Sequence, residues 1–301
     1  MKITKNKTVR FLVVLAVWFS FLPPFAFAKE LGNIISSLVR KIPPRHNSEM
    51  TGSQFARHVS GMDSSQREEA IKDELVRGNI PDFLRKLHPL KLSARSGGGD
   101  DTEATLFVMP DYLAIGSNND YLLIPMNLYT AEDVAEKFGF ILPTRKIVDA
   151  VYHQSDICLT PQPLPAGPQM RSTEYYVTHN RKIREQRSAA GCTPGLLVSG
   201  HKKDVVLTNH LRHREGQIAI YGWHRPNGVP IQPLSTVHGA RYADYSHGIR
   251  LVSDTALIDG KPRPVSEVLE DPKLAPILSD EGVIKGVRRI LDNIHLTHLR
   301  H

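Results

Sequence analysis

The chain is poor in cysteine: Cys158 and Cys192 are the only two in 301 residues. Neither lies in a CxxC pair, which argues against a thiolate metal site. In an oxidising compartment the two either pair or remain separate buried thiols, and the sequence leaves both readings open. As a nucleophile Cys192 has only Arg187 nearby to lower its pKa. A second long apolar run is also missing. Beyond residue 28 no stretch is apolar enough to span a bilayer. There is no polybasic tract and no interleaving of aromatic with basic residues, so nucleic acid is not expected as a partner. The spacing of a helical HExxH zinc site is absent from the histidine-rich region.

What is present begins at the N-terminus. Lys2, Lys5, Lys7 and Arg10 precede an apolar run from Phe11 to Phe21, and Ala26-Phe27-Ala28 follows. These are the parts of a secretory signal peptide. Pro23 and Pro24 cut the run short of the ~20 residues of a spanning helix. The expectation is residues 1–28 as signal, cleavage after Ala28, and an exported periplasmic or extracellular protein with no membrane span after cleavage. The formal charge of the whole chain is +7, and the first 28 residues hold four basic and no acidic groups, which leaves +3 for the remainder. That balance allows weak attraction to an anionic envelope polymer. The remaining 273 residues suffice for one large domain with a full core.

Residues 29–95 read as a helical section. Leu31, Ile34, Ile35, Leu38 and Val39 recur at helical spacing, Ser64 or Ser65 is placed to cap a helix through Leu75, and Pro81 opens a third, short one. Ser96 to Asp101 reads as a flexible join. From 102 to 301 the pattern is α+β. Short strands are expected at Ala104–Met109, Tyr112–Gly116 and Tyr121–Pro125. Thr130 is placed to cap a helix through Phe138, Pro143-Thr144 to open another from Arg145 to Gln154, and Arg171 to Arg187 reads helical. Four prolines between Cys158 and Met170 predict an irregular surface loop, either a connector or a cleft wall. A last helix is expected from Glu281 to about Leu299. The fold class is thus α+β: N-terminal helices packed on a mostly antiparallel β-sheet in a single large domain.

The stretch from Gly200 to Val252 carries six of the fourteen histidines. Strand-length apolar runs separate them, which places His201, His224, His238 and His247 at loop ends, where rigid elements present chemistry. The densest phrase runs from His238 to Arg250. His238, Asp244, Ser246 and His247, completed by His201 and His224, are the candidate catalytic residues, as proton carriers, an orienting carboxylate and a hydroxyl. Lys203, Arg241, Tyr245 and Arg250 are the candidates for holding substrate. Zinc on His238, Asp244 and His247 is the cofactor alternative. Gly200-His201-Lys202-Lys203-Asp204 reads either as a solvated turn or as an anion-holding loop. Asp149 reads as an exposed helix carboxylate.

The two phrases Val237-His238-Gly239-Ala240 and Ser246-His247-Gly248-Ile249-Arg250-Leu251 resemble the active-site phrase of the L,D-transpeptidases, an HG step and then SHGC-[IV]-R. The likeness covers about fourteen residues. It lacks that family's cysteine nucleophile, because Gly248 runs directly into Ile249. It implies an envelope substrate, with Ser246 as the remaining nucleophile. Two functions follow from the residues. One is a hydrolase or transferase acting on an envelope or extracellular polymer by His/Asp acid–base chemistry, with or without a metal. The other is a secreted, non-catalytic glycan- or peptide-binding protein.

Overall fold

The computed structural model describes residues 32–95 and 101–287. The signal segment, the glycine-rich 96–100 and all but the first residues of the expected last helix lie outside the described residues. The helices are α1 (32–38), α2 (Gly52–His58), α3 (Ser64–Val76), α4 (Leu128–Phe138), α5 (Arg145–Gln154), α6 (Thr173–Ala189), α7 (Val265–Glu270) and α8 (Ala275–Leu278). The strands are β1 (His88–Arg95), β2 (Asp101–Val108), β3 (Ala114–Gly116), β4 (Tyr121–Leu123), β5 (Phe140–Ile141), β6 (Ile157–Cys158) and β7 (Val198–Ser199). They continue with β8 (Lys203–Val205), β9 (Ile220–His224), β10 (Pro230–Ser235), β11 (His247–Gly248), β12 (Val252–Ser253), β13 (Thr255–Ile258) and β14 (Lys261–Pro264). The class is α+β, with several mostly antiparallel sheets.

Local chemistry sets most boundaries. Asp63, not Ser64 or Ser65, caps α3: its carboxylate accepts from the amides of Ser65 and Gln66 while the Gln66 side chain reaches back to the Asp63 amide. That reciprocal box satisfies two otherwise orphaned donors. Asn127 caps α4, so this helix starts a turn before the expected Thr130. Gly139, at φ 76°, ends it. The Thr144 hydroxyl accepts from Ile147 to start α5 where expected.

Residues 88–95, expected to belong to a helical section, form a strand instead. Leu90 and Leu92 are buried while Lys91 and Ser93 are exposed, the period of two that a half-buried strand requires. Eight residues of β1 pair with β2 from His88↔Val108 to Arg95↔Asp101, so the expected flexible join connects the two strands of a hairpin. The six-stranded sheet runs β14-β13-β2-β12-β5, with β1 on β2. Residues 281–287, expected to open the last helix, are mainly turns and irregular backbone.

The second sheet positions the candidate site. Its order is β10-β9-β8-β11. β8 and β9 are antiparallel, but β11 joins β8 in parallel, with His247 opposite Lys203 and Gly248 opposite Asp204. Helix α5 packs against β1 and β9, and so links the two largest sheets, and also against β7 of the two-stranded β6-β7 sheet. Ile147, Val148 and Val151 supply its buried face. No helix among the described residues is long and apolar enough to cross a membrane.

Candidate active site

The site grows from one turn. Asp244 begins a four-residue reversal in which the His247 amide donates to the Asp244 carbonyl at 3.0 Å. The Asp244 side chain also accepts from the Ser246 amide at 2.7 Å, an Asx turn that aspartate favours at this position. The same Oδ1 accepts from the Ser246 hydroxyl at 2.6 Å, and Oδ2 accepts from the Tyr242 hydroxyl at 3.0 Å. His247 Nε2 faces Oδ2 at 3.9 Å, beyond hydrogen-bond length. Neither ring nitrogen of His247 has a hydrogen-bond partner, although the residue is fully buried. Burial pushes the imidazole well below its usual range, against the pull of Asp244. Burial would raise Asp244, but the facing His247 and the two bonds from Ser246 hold it below the ordinary carboxylate range. The pair is therefore a neutral imidazole beside a fixed carboxylate.

Parallel pairing places Lys203 beside His247, since paired residues of adjacent strands share a face. The Lys203 Nζ lies 5.3 Å from the centre of the Trp223 ring. Burial lowers the Lys203 pKa, with Asp244 opposing. His238 stacks on Tyr242 with ring centres 4.1 Å apart and stands 6.4 Å from the His247 ring. Both His238 and Tyr242 are half-buried, so they form the outer edge above His247. The Arg171 guanidinium covers the Tyr242 ring at 5.5 Å. The proline-rich loop is fixed here too: the Leu164 amide donates to the Tyr245 hydroxyl at 2.7 Å.

Of the expected catalytic residues, His238, Asp244, Ser246 and His247 come together, whereas His201 and His224 belong to two other His–Asp pairs. His201 is fully buried, with Nε2 3.1 Å from Asp111 Oδ1 and its ring edge-on to Tyr112. Asp111 is also salt-bridged to Arg187. His224 Nε2 lies 2.9 Å from Asp149 Oδ1, which also accepts from the Tyr221 hydroxyl at 2.9 Å, and its ring stacks on Tyr152. Asp149 is therefore a partner of histidine and tyrosine, which its place on an amphipathic helix did not reveal.

The expected substrate-holding residues divide similarly. Lys203 faces His247. Arg241 turns away to the Tyr129 ring, beside a cavity of ≈ 160 Å³ lined also by Glu68, Lys72 and Asn127. Tyr245 uses its hydroxyl on the proline-rich loop and its carbonyl on Lys202 Nζ, 2.5 Å away. Arg250 is 1% exposed and donates to the carbonyls of Met109 and Val198, so it ties strands together and cannot meet a substrate. Within the Gly200–Asp204 loop, Lys202 is buried, which drops its pKa to about 7. The sequence reading missed Arg171 and Trp223. Only the position of Trp223 at a strand end could have flagged it.

Both cysteines are free thiols. Burial pushes the Cys192 thiol up despite Arg187, which disfavours a thiolate there. The zinc alternative finds no gathered ligand set among the described residues, where no three His, Cys, Asp or Glu side chains converge as a metal site would require. The Asp244 oxygens are already engaged by Ser246 and Tyr242. Compared with protein families, curated proteins and solved structures, the chain matches none.

Proposed function

We infer that the chain is an exported hydrolase or transferase acting on an envelope or extracellular polymer, with His247 as its proton carrier. The observation that supports this reading is a buried imidazole with two unpartnered nitrogens facing a carboxylate that its own turn holds rigid. His247, neutral at rest, takes the proton of an incoming water or hydroxyl and returns it to the leaving group. Asp244 stabilises the transient imidazolium, and Ser246 and Tyr242 hold Asp244 in place. Substrate reaches His247 once the half-buried His238 ring turns aside. Export rests on the pattern of residues 1–28.

The test is release of new chain ends from isolated cell-wall polymer, followed by mass spectrometry. His247→Gln and Asp244→Asn should each lower kcat by ~10²–10⁴-fold, the usual worth of a general acid–base group. Their melting temperatures should stay near that of the parent. Parent protein that releases nothing, or variants that keep its rate, would overturn the reading. The full burial of His247 beneath exposed Arg171 and half-buried Tyr242 favours the second reading, a polymer-binding module without catalysis. In that case polymer retention should follow Arg171 and Tyr242, and the His247 variant should bind as the parent does.

A further inference from the structure

Across the second sheet, β9, β8 and β11 carry Trp223, Lys203 and His247 in that order. Trp223 is 4% exposed, and its Nε1 has no hydrogen-bond partner. An indole N–H can only donate, and a buried donor without an acceptor is a costly arrangement that native structures rarely keep. Trp223 also has φ 57°, one of two non-glycine residues with positive φ among the described residues. Such strain persists where surrounding structure imposes it, often at ligand-binding sites. The rings of His179 and Tyr245, each 6.4 Å from the Trp223 ring and 5.0 Å from one another, form an edge-to-face cluster with the indole. The Lys203 ammonium, 5.3 Å from the indole centre, makes no hydrogen bond or salt bridge to a described residue. The ammonium over the indole face and the indole N–H at its edge thus both lack a hydrogen-bond acceptor among the described residues. Two hydrogen bonds of ordinary length and the width of a carboxylate together span roughly 8 Å, enough to bridge them. The one nearby anion, Asp244, has its oxygens engaged by Ser246 and Tyr242.

We propose that this site takes a carboxylate-bearing substrate, whose carboxylate Lys203 Nζ and Trp223 Nε1 hold on the β9 side of His247. The proposal rests on the reading of His247 as the reacting centre, but it is tested by binding, without turnover. Trp18 and Trp223 are the only tryptophans. In the full chain carrying Trp18→Phe, intrinsic fluorescence therefore reads Trp223 alone. Titration with N-acetylglycine should give a saturable change, and N-acetylglycinamide should bind at least tenfold more weakly. Lys203→Met, similar in length and uncharged, should erase that preference. Equal responses to acid and amide, no response to either, tighter binding of inorganic phosphate, or a preference that survives Lys203→Met would each overturn the proposal. If Lys203→Met does not fold, the acid–amide comparison in the parent decides. Acid preference without turnover of any polymer would remove the catalytic reading and leave the carboxylate subsite standing.

Discussion

Ser246 illustrates how immediate neighbours decide what a residue can do. Its place in a Ser-His-Gly phrase suggests a nucleophile, but its hydroxyl is fully buried and donates to Asp244 at 2.6 Å. On the proposed function it positions the carboxylate. Ser246→Ala should then lower kcat about 10–100-fold, since a hydrogen bond to a charged group contributes about 1.5–3 kcal/mol. Removal of a serine nucleophile costs on the order of 10⁶. Steady-state rates on a cleavable polymer separate the two, and a loss near the larger figure would restore Ser246 as nucleophile. Single residues were legible where local chemistry is self-contained. Asp244, Ser246 and His247, within four positions of one another, were readable as one cluster. Asp149, Asp111 and Arg171 could not be read, because their partners lie 75, 90 and 71 positions away.

Among the elements, several helices and strands were legible from their spacing, whereas β1, the caps of α3 and α4 and the pairing partners were not. Helix α5 begins and ends at the expected residues because Thr144 supplies a cap and the apolar spacing is regular. β1 was missed because Pro89 and a short alternation resemble the end of a helical section. The parallel union of β8 and β11 carries no local signature, since the two strands contribute only three and two residues. Close packing marks it instead. A Cβ on Gly248 would lie 2.6 Å from Tyr112 Cδ1 and 2.7 Å from Lys202 Cβ. Tyr112 in turn donates to Asp204 at 2.8 Å. Gly248→Ala should therefore destabilise by about 1–3 kcal/mol, the range for overpacking a filled site. Thermal or urea unfolding measures this, and an unchanged midpoint would show that the strand can shift at little cost.

At the scale of the whole molecule, the α+β class followed from composition and periodicity, while the division into separate sheets, the two largest bridged by α5, did not. The fold also buries ionisable groups of both kinds, which shapes its response to pH. Glu132 is 3% exposed with Oε1 unpartnered, and burial, reinforced by Asp133 and Glu136, raises its pKa to about 8. With the folded value above the unfolded one, the neutral form favours the fold. Its contribution is complete below about pH 4.5, declines as pH rises, and is gone above about pH 8. Glu132→Gln should lack this decline. Its stability advantage over the parent should widen between those two pH values and then level off. Melting temperatures across that interval check the sign, and parallel curves for the two proteins would contradict it.

The hydroxyl of Tyr245 ties the proline-rich loop to a residue 81 positions away, Arg250 reaches Met109 across 141, and Tyr112 reaches Asp204 across 92. Contacts this distant in sequence form late, because loop-closure entropy must be overcome before they contribute. Helices such as α6 depend on neighbours three and four residues away and can form early. On refolding from urea, the far-ultraviolet helical signal should recover first. Emission from Trp223, read without Trp18, should recover in a slower phase. The surface where His247 and Lys203 meet would then be among the last parts of the chain to become native.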